Sequence, residues 1–133
     1  PLTELKKGAP DGIDVYFENV GGPQLEAALT HMRPHGRIPI CGMIAHYNDQ
    51  GDATPGPRNL TETIYKFITL KGFVVSAFES KRAEFQQQMA GWIKSGEVRY
   101  EETIFEGLAS APEAFIGLFS GENKGKMLVH LAD

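Results

Sequence analysis

The chain has 133 residues, 41% hydrophobic and 23% charged, with a formal net charge of −4 and a pI near 5.6. Those values fit an ordinary globular chain that buries one modest core, and they exclude a general nucleic-acid surface, because no Lys/Arg stripe stands ready to neutralise phosphates. The single cysteine, Cys41, excludes an internal disulfide and a multi-cysteine structural zinc site.

A reducing, cytoplasmic setting is therefore expected, with no membrane partner: no apolar run approaches the ~18 residues of a span, and Pro1-Leu2-Thr3-Glu4 carries no signal-peptide pattern. Residues 2–7 read as the end of a helix, and Gly8-Ala9-Pro10-Asp11-Gly12 as a turn of helix-stopping residues. Residues 13–19 then read as a strand. Gly21-Gly22 permits a tight turn, Pro23 suits a first helical position, and Leu25, Ala28, Leu29 and Met32 make the buried stripe of a short helix. Pro34-His35-Gly36 is expected to end that helix, and residues 37–41 to form the next strand. Strand, helix and strand in so short a span indicate a parallel sheet with crossover helices.

Residues 49–59, rich in Gly, Pro, Asp and Thr, are expected to be a long surface loop of the kind that is often functional. Asn59 or Thr61 is expected to cap a helix running through Leu70, with Ile64, Phe67 and Ile68 facing inward. Residues 72–78 are β-branched and aromatic and read as a strand. Ser80 should cap a helix over 81–94 whose Phe85, Met89, Trp92 and Ile93 share a face, closed by Ser95-Gly96. Beyond it come a short strand at 103–105, a short helix at 112–119 and a final strand at 126–131.

Two segments carry chemistry: Tyr16-Phe17-Glu18-Asn19-Val20-Gly21-Gly22 and Cys41-Gly42-Met43-Ile44-Ala45-His46-Tyr47-Asn48. Each follows an apolar strand-like run and so lies at the carboxyl end of a strand, where open α/β sheets bind their ligands. Asn19 is either a turn former or, with its paired amide donor and acceptor, a ligand contact. Cys41, between apolar residues, reads as a small hydrophobe and not a nucleophile. His31 and His35 are four apart, but Pro34 between them breaks the helix that a metal pair would need, while His46 lies in the second of these segments and His130, on the last strand, shows no partner in sequence. Gly121-Glu122-Asn123-Lys124-Gly125-Lys126-Met127 departs from a phosphate loop in spacing and in the Met where Ser/Thr would hold magnesium, and reads as a helix cap and turn. No Gly-x-Gly-x-x-Gly turn is present.

YFENVGG, CGMIAHYN, GFVVSAF and GENKGKMLV, in this order and over nearly the whole chain, resemble the C-terminal portion of the zinc-independent medium-chain dehydrogenase/reductases, in particular the prostaglandin reductase, leukotriene hydroxydehydrogenase and NADPH-dependent curcumin reductase group. The resemblance implies an α/β fold: the C-terminal part of a Rossmann-like doubly wound parallel sheet over residues 1–98, with 99–133 returning toward a catalytic domain. It implies an NADPH-dependent oxidoreductase that reduces the activated C=C bond of α,β-unsaturated ketones or aldehydes, this fragment alone being inactive. The alternatives are a quinone oxidoreductase of the same superfamily or an inactive, self-associating fragment. By the resemblance, Asn19, Cys41, Gly42, Met43, Ile44, Ala45, His46, Tyr47, Phe73, Val74, Val75 and Asn123 contact NADP(H), and no residue holds a metal. The resemblance makes Tyr47 the expected catalytic residue, and a phenol with a pKa of about 10 can donate a hydrogen bond at neutral pH without losing its proton. A homodimer is expected through residues 72–77, pairing antiparallel with their copy.

Overall fold

The computed structural model describes residues 1–47 and 55–131, which form two compact units, Pro1–Glu79 and Ser80–Asp133. Asn48 and the first part of the loop expected over 49–59 lie outside the described residues.

The first unit runs α1 (Leu2–Gly8), β1 (Ile13–Val15), α2 (Gly22–His31), β2 (Met32–Ile40), α3 (Glu62–Tyr65) and β3 (Thr69–Gly72), with the strands in one parallel sheet of order β1-β2-β3. The strand expected over 13–19 is regular only over its first three residues. Its backbone nevertheless stays beside β2, through Tyr16 N to Arg37 O (3.1 Å), Glu18 N to Pro39 O (2.9 Å) and a bridge from Glu18 to Ile40. Pro23 stands in the first turn of α2, as expected, and the helix buries Leu25, Ala27, Ala28 and Leu29. Leu25 and Leu29 join Met32, Ile38 and Ile68 in the core.

Met32 enters that core as the first residue of β2, because α2 has already ended at His31. Pro34-His35-Gly36 therefore does not stop a helix. It is a bulge inside a strand that begins earlier than expected: the register jumps from Ile13↔Met32 to Val15↔Arg37. His35 takes a φ of 64° there, its amide donates to Lys66 O (2.7 Å), and its ring stacks on Phe67 at 5.1 Å.

Two further expectations change. The helix expected through Leu70 stops at Tyr65, Phe67 turns left-handed (φ 54°), and Thr69 and Leu70 pair instead with Arg37 and Ile38. Ile68 is buried as expected, but Ile64 and Phe67 are 69% and 66% exposed. At the C-cap of this helix the Lys66 ammonium donates to Leu29 O and Thr30 O at the end of α2 (3.1 and 2.7 Å), which moors the stretch to α2. The strand expected over 72–78 is likewise displaced toward the N-terminus, to Thr69–Gly72. Phe73 N makes a last bond to Ile40 O (3.1 Å), at the point where β2 ends. Beyond it the backbone bonds locally in helical turns over Val75–Lys81, as in Ala77 N to Val74 O (3.0 Å). An antiparallel pairing along 72–77 thus lacks its strand.

The second unit runs α4 (Arg82–Ser95), β4 (Glu102–Glu106), α5 (Ala111–Ser120) and β5 (Lys126–His130). The N-cap of α4 is Lys81 and not Ser80, while Gly96 closes the helix in the left-handed region as expected. Its apolar face is not buried: Phe85, Trp92 and Ile93 are 56%, 39% and 41% exposed. Strands β4 and β5 pair in parallel from Glu102↔Lys126 to Glu106↔His130, with α5 as the crossover. Gly121 ends α5 with positive φ, so residues 121–125 are the cap and turn expected, while Lys126 and Met127 already belong to β5.

Candidate functional site

The carboxyl ends of β1 and β2 lie side by side, and the loops that leave them are stitched together by backbone hydrogen bonds. Cys41 N and Gly42 N donate to Glu18 O (2.9 and 3.2 Å), Ile44 N to Asn19 O (3.0 Å) and Ala45 N to Val20 O (3.0 Å). Residues Ile44–His46 form one 3-10 turn, and Gly22 N donates to the Nε2 of His46 (3.3 Å).

Glycine is required where these loops touch. Gly21 has a φ of 76°, and a β-carbon on it would stand 2.9 Å from His46 Nε2 and 3.2 Å from Met43 Cβ. A β-carbon on Gly42 would stand 2.9 Å from the Tyr47 hydroxyl oxygen and 3.8 Å from Asn19 Oδ1. The bare face of Gly42 is thus the place where the Tyr47 phenol and the Asn19 amide converge. Both side chains are exposed, Tyr47 at 69%, so both are open to a ligand.

The fold accordingly gathers Asn19, Cys41, Gly42, Met43, Ile44, Ala45, His46 and Tyr47 at one sheet end. Cys41 is exposed there and not packed inside as a buried hydrophobe. Phe73 lies close by, its ring edge-on to Phe17 of the first loop at 5.7 Å and to Phe78 at 5.8 Å. Val74 and Val75 point to solvent, each 68% exposed. Asn123 belongs to the second unit, where its amide donates to Gly125 O (2.7 Å).

Glu18 escapes a motif-level reading, yet it organises the first loop. It is fully buried, and one carboxylate oxygen, Oε1, accepts from Val20 N and from Gly21 N (2.8 Å). Its other oxygen, Oε2, is buried without a hydrogen-bond partner. Burial, and secondly the charge of Glu18, push the phenol of Tyr16 above its ordinary range. The signal available in sequence is a lone acid closing an apolar run directly before a Gly-Gly turn whose amides need acceptors.

A second anchor ties down the chain that follows these loops. Arg58 donates to Glu26 of α2 through its backbone N, Nε (both 3.0 Å) and guanidinium NH2 group (2.7 Å). Asn59 Nδ2 bonds to Glu26 O and Thr30 Oγ1, both at 2.8 Å. The Arg58 hydrogen bonds hold the Glu26 carboxyl down to about 2. Among the described residues no three His, Cys, Asp or Glu side chains come together as a metal ligand set, and no helix is long and apolar enough to cross a membrane.

Residues 2–129 match the family described as zinc-binding dehydrogenase. The chain is 46% identical over 125 residues to the 2-alkenal reductase (NADP(+)-dependent) of Nicotiana tabacum, covering 94% of this chain and 36% of that protein. It is 40% identical over 134 residues to the NADPH-dependent curcumin reductase of Escherichia coli (strain K12), covering 97% and 39%. The crystal structure of CurA in complex with NADPH from Vibrio vulnificus superposes with a TM-score of 0.79 at 36% identity, over 99% of this chain and 40% of that one. The fold is therefore part of a Rossmann-like parallel α/β domain of the medium-chain dehydrogenase type, as the resemblance implied. The chain spans less than two fifths of the length of these two curated relatives, 36% and 39%.

Proposed function

The chain belongs to the zinc-binding dehydrogenase family, and from that premise we propose that it forms the nicotinamide end of the cofactor site in an NADPH-dependent reductase of α,β-unsaturated aldehydes or ketones. The observation that carries this reading is the convergence of the Tyr47 hydroxyl and the Asn19 amide on the bare Gly42 face. Such a surface offers a planar carboxamide or a ribose one donor–acceptor pair and a neutral phenolic donor, without a side chain in the way. Residues 41–47 would line the dinucleotide through backbone and packing, and Phe73 would bound the ring side.

NADPH supplies the hydride that adds to the β-carbon of the substrate. As it adds, negative charge grows on the carbonyl oxygen, which needs a hydrogen-bond donor. Tyr47 meets that need directly, or by orienting a ribose hydroxyl that does. A phenol suffices in place of a Lewis acid, so the reaction is read as zinc-independent. The reading extends to a cytoplasmic enzyme and to a two-copy assembly. Because β3 stands at the edge of the described three-stranded sheet, pairing there would involve Thr69–Gly72 and not the helical turns after it.

The test is a polypeptide carrying this segment at the full length of its relatives, mixed with NADPH and a series of enals, enones and quinones. Loss of NADPH absorbance with an enal or enone is the expected result. Turnover of quinones alone would move the activity to that class, and no turnover with any acceptor would remove the proposal.

A further inference from the structure

The turn at 19–22 has the form of an anion site that the protein has already filled. The amides of Val20 and Gly21 are consecutive and converge on one point just ahead of the first turn of α2, the donor arrangement that receives a phosphate oxygen in many nucleotide folds. Here the oxygen at that point is Oε1 of Glu18, from a carboxylate with no exposed surface.

The geometry points to Glu18 as a positioning residue: a built-in anion that occupies the phosphate position of this turn and thereby reserves it for the ring-and-ribose end of a dinucleotide. The inference rests on the reading of this loop pair as the nicotinamide end of a cofactor site and adds how its first turn is closed to phosphate. Three features support it. A phosphate could reach the two amides only by evicting Oε1, leaving a buried carboxylate without donors, which is costly. The second oxygen, Oε2, has no hydrogen-bond partner, and the ion pairs found among the described residues do not include Glu18, so an anion brought to this turn would meet a carboxylate that no ion pair screens. Finally, Glu18 O receives Cys41 N and Gly42 N, so moving this residue would also unseat the loop that carries Tyr47. The same residue closes the turn to phosphate and holds Asn19 and Tyr47 in register.

Inorganic phosphate and pyrophosphate, titrated into the ¹⁵N-labelled 133-residue chain, provide the test. In the native chain the Val20 and Gly21 amide resonances should stay fixed as either anion rises through the millimolar range. In Glu18→Ala the same two resonances should move with added phosphate, and their hydrogen exchange should quicken by roughly tenfold or more. Glu18→Gln retains an oxygen acceptor and should restore exchange protection and insensitivity to phosphate. If Glu18→Ala does not fold, the native titration decides alone. Native amides that shift with phosphate, or a folded Glu18→Ala whose amides ignore it, would overturn the inference. Neither result depends on enzymatic turnover, so failure here and failure of the proposed activity remain separable.

Discussion

The phenol oxygen of Tyr47 rests against the bare α-carbon of Gly42, so closely that a β-carbon on Gly42 would stand 2.9 Å from it. Because Tyr47 is 69% exposed, its ring can swing away at little cost to the fold. Gly42→Ala should therefore shift stability by no more than about 1 kcal/mol while lowering the kcat proposed for a polypeptide of its relatives' length. Thermal melts run beside steady-state kinetics will check it. A large loss of stability with unchanged kcat would mean that the contact is only packing.

Tyr47→Phe removes the hydroxyl and keeps the ring. If the phenol donates to the carbonyl oxygen as charge develops, kcat falls more than KM rises, by up to roughly 10²–10³. A variant with native kcat and weakened NADPH affinity would instead assign Tyr47 to holding the cofactor.

Gly21→Ala attacks the seam between the loops. Its φ of 76° and the 2.9 Å approach of a β-carbon to His46 Nε2 both oppose any side chain. A loss of roughly 1–3 kcal/mol is expected, read from denaturant unfolding of the chain. Exchange protection at the Ile44 and Ala45 amides, which bond to Asn19 O and Val20 O, should fall with it.

The Glu26–Arg58 clasp gives a pH dependence of definite sign. The folded carboxyl sits at about 2 against an ordinary 4.5, so its contribution to stability is fully present above pH 4.5 and disappears as pH falls toward 2. Comparing the native chain with Glu26→Gln across that window should show their stability difference shrinking as acid is added. A difference that stays constant through the window would show that Glu26 does not titrate as a clasped carboxylate.

Local periodicity was informative where local forces dominate. The Gly-Gly-Pro start of α2, its Leu25 and Leu29 face, the left-handed closure of α4 at Gly96 and the β4-α5-β5 order are all readable from residue spacing. Residues 61–78 depart from their expected helix and strand because the apolar content of Ile64, Phe67, Phe73 and Val74 suits either element, and what decides is where β2 offers backbone partners. Those run out at Ile40, so β3 ends at Gly72 and the chain curls beyond Phe73. In the same way a Pro-His-Gly triplet reads as a stop, but with β1 on one side and Phe67 stacked on His35 it becomes a bulge.

By itself the sequence determined the class of this protein: a parallel α/β nucleotide fold, with its candidate cofactor loops at Asn19–Gly22 and at 41–47, because strand ends, glycine turns and helix starts are written in neighbouring residues. Tertiary structure alone decided what Glu18 does and where Tyr47 points. Both depend on atoms far apart in the chain, one carboxylate shut in with the amides of its own turn and one phenol laid over a glycine at the end of the adjacent strand. Burial of a charge and the closing of one loop on another arise only once β1 and β2 lie side by side.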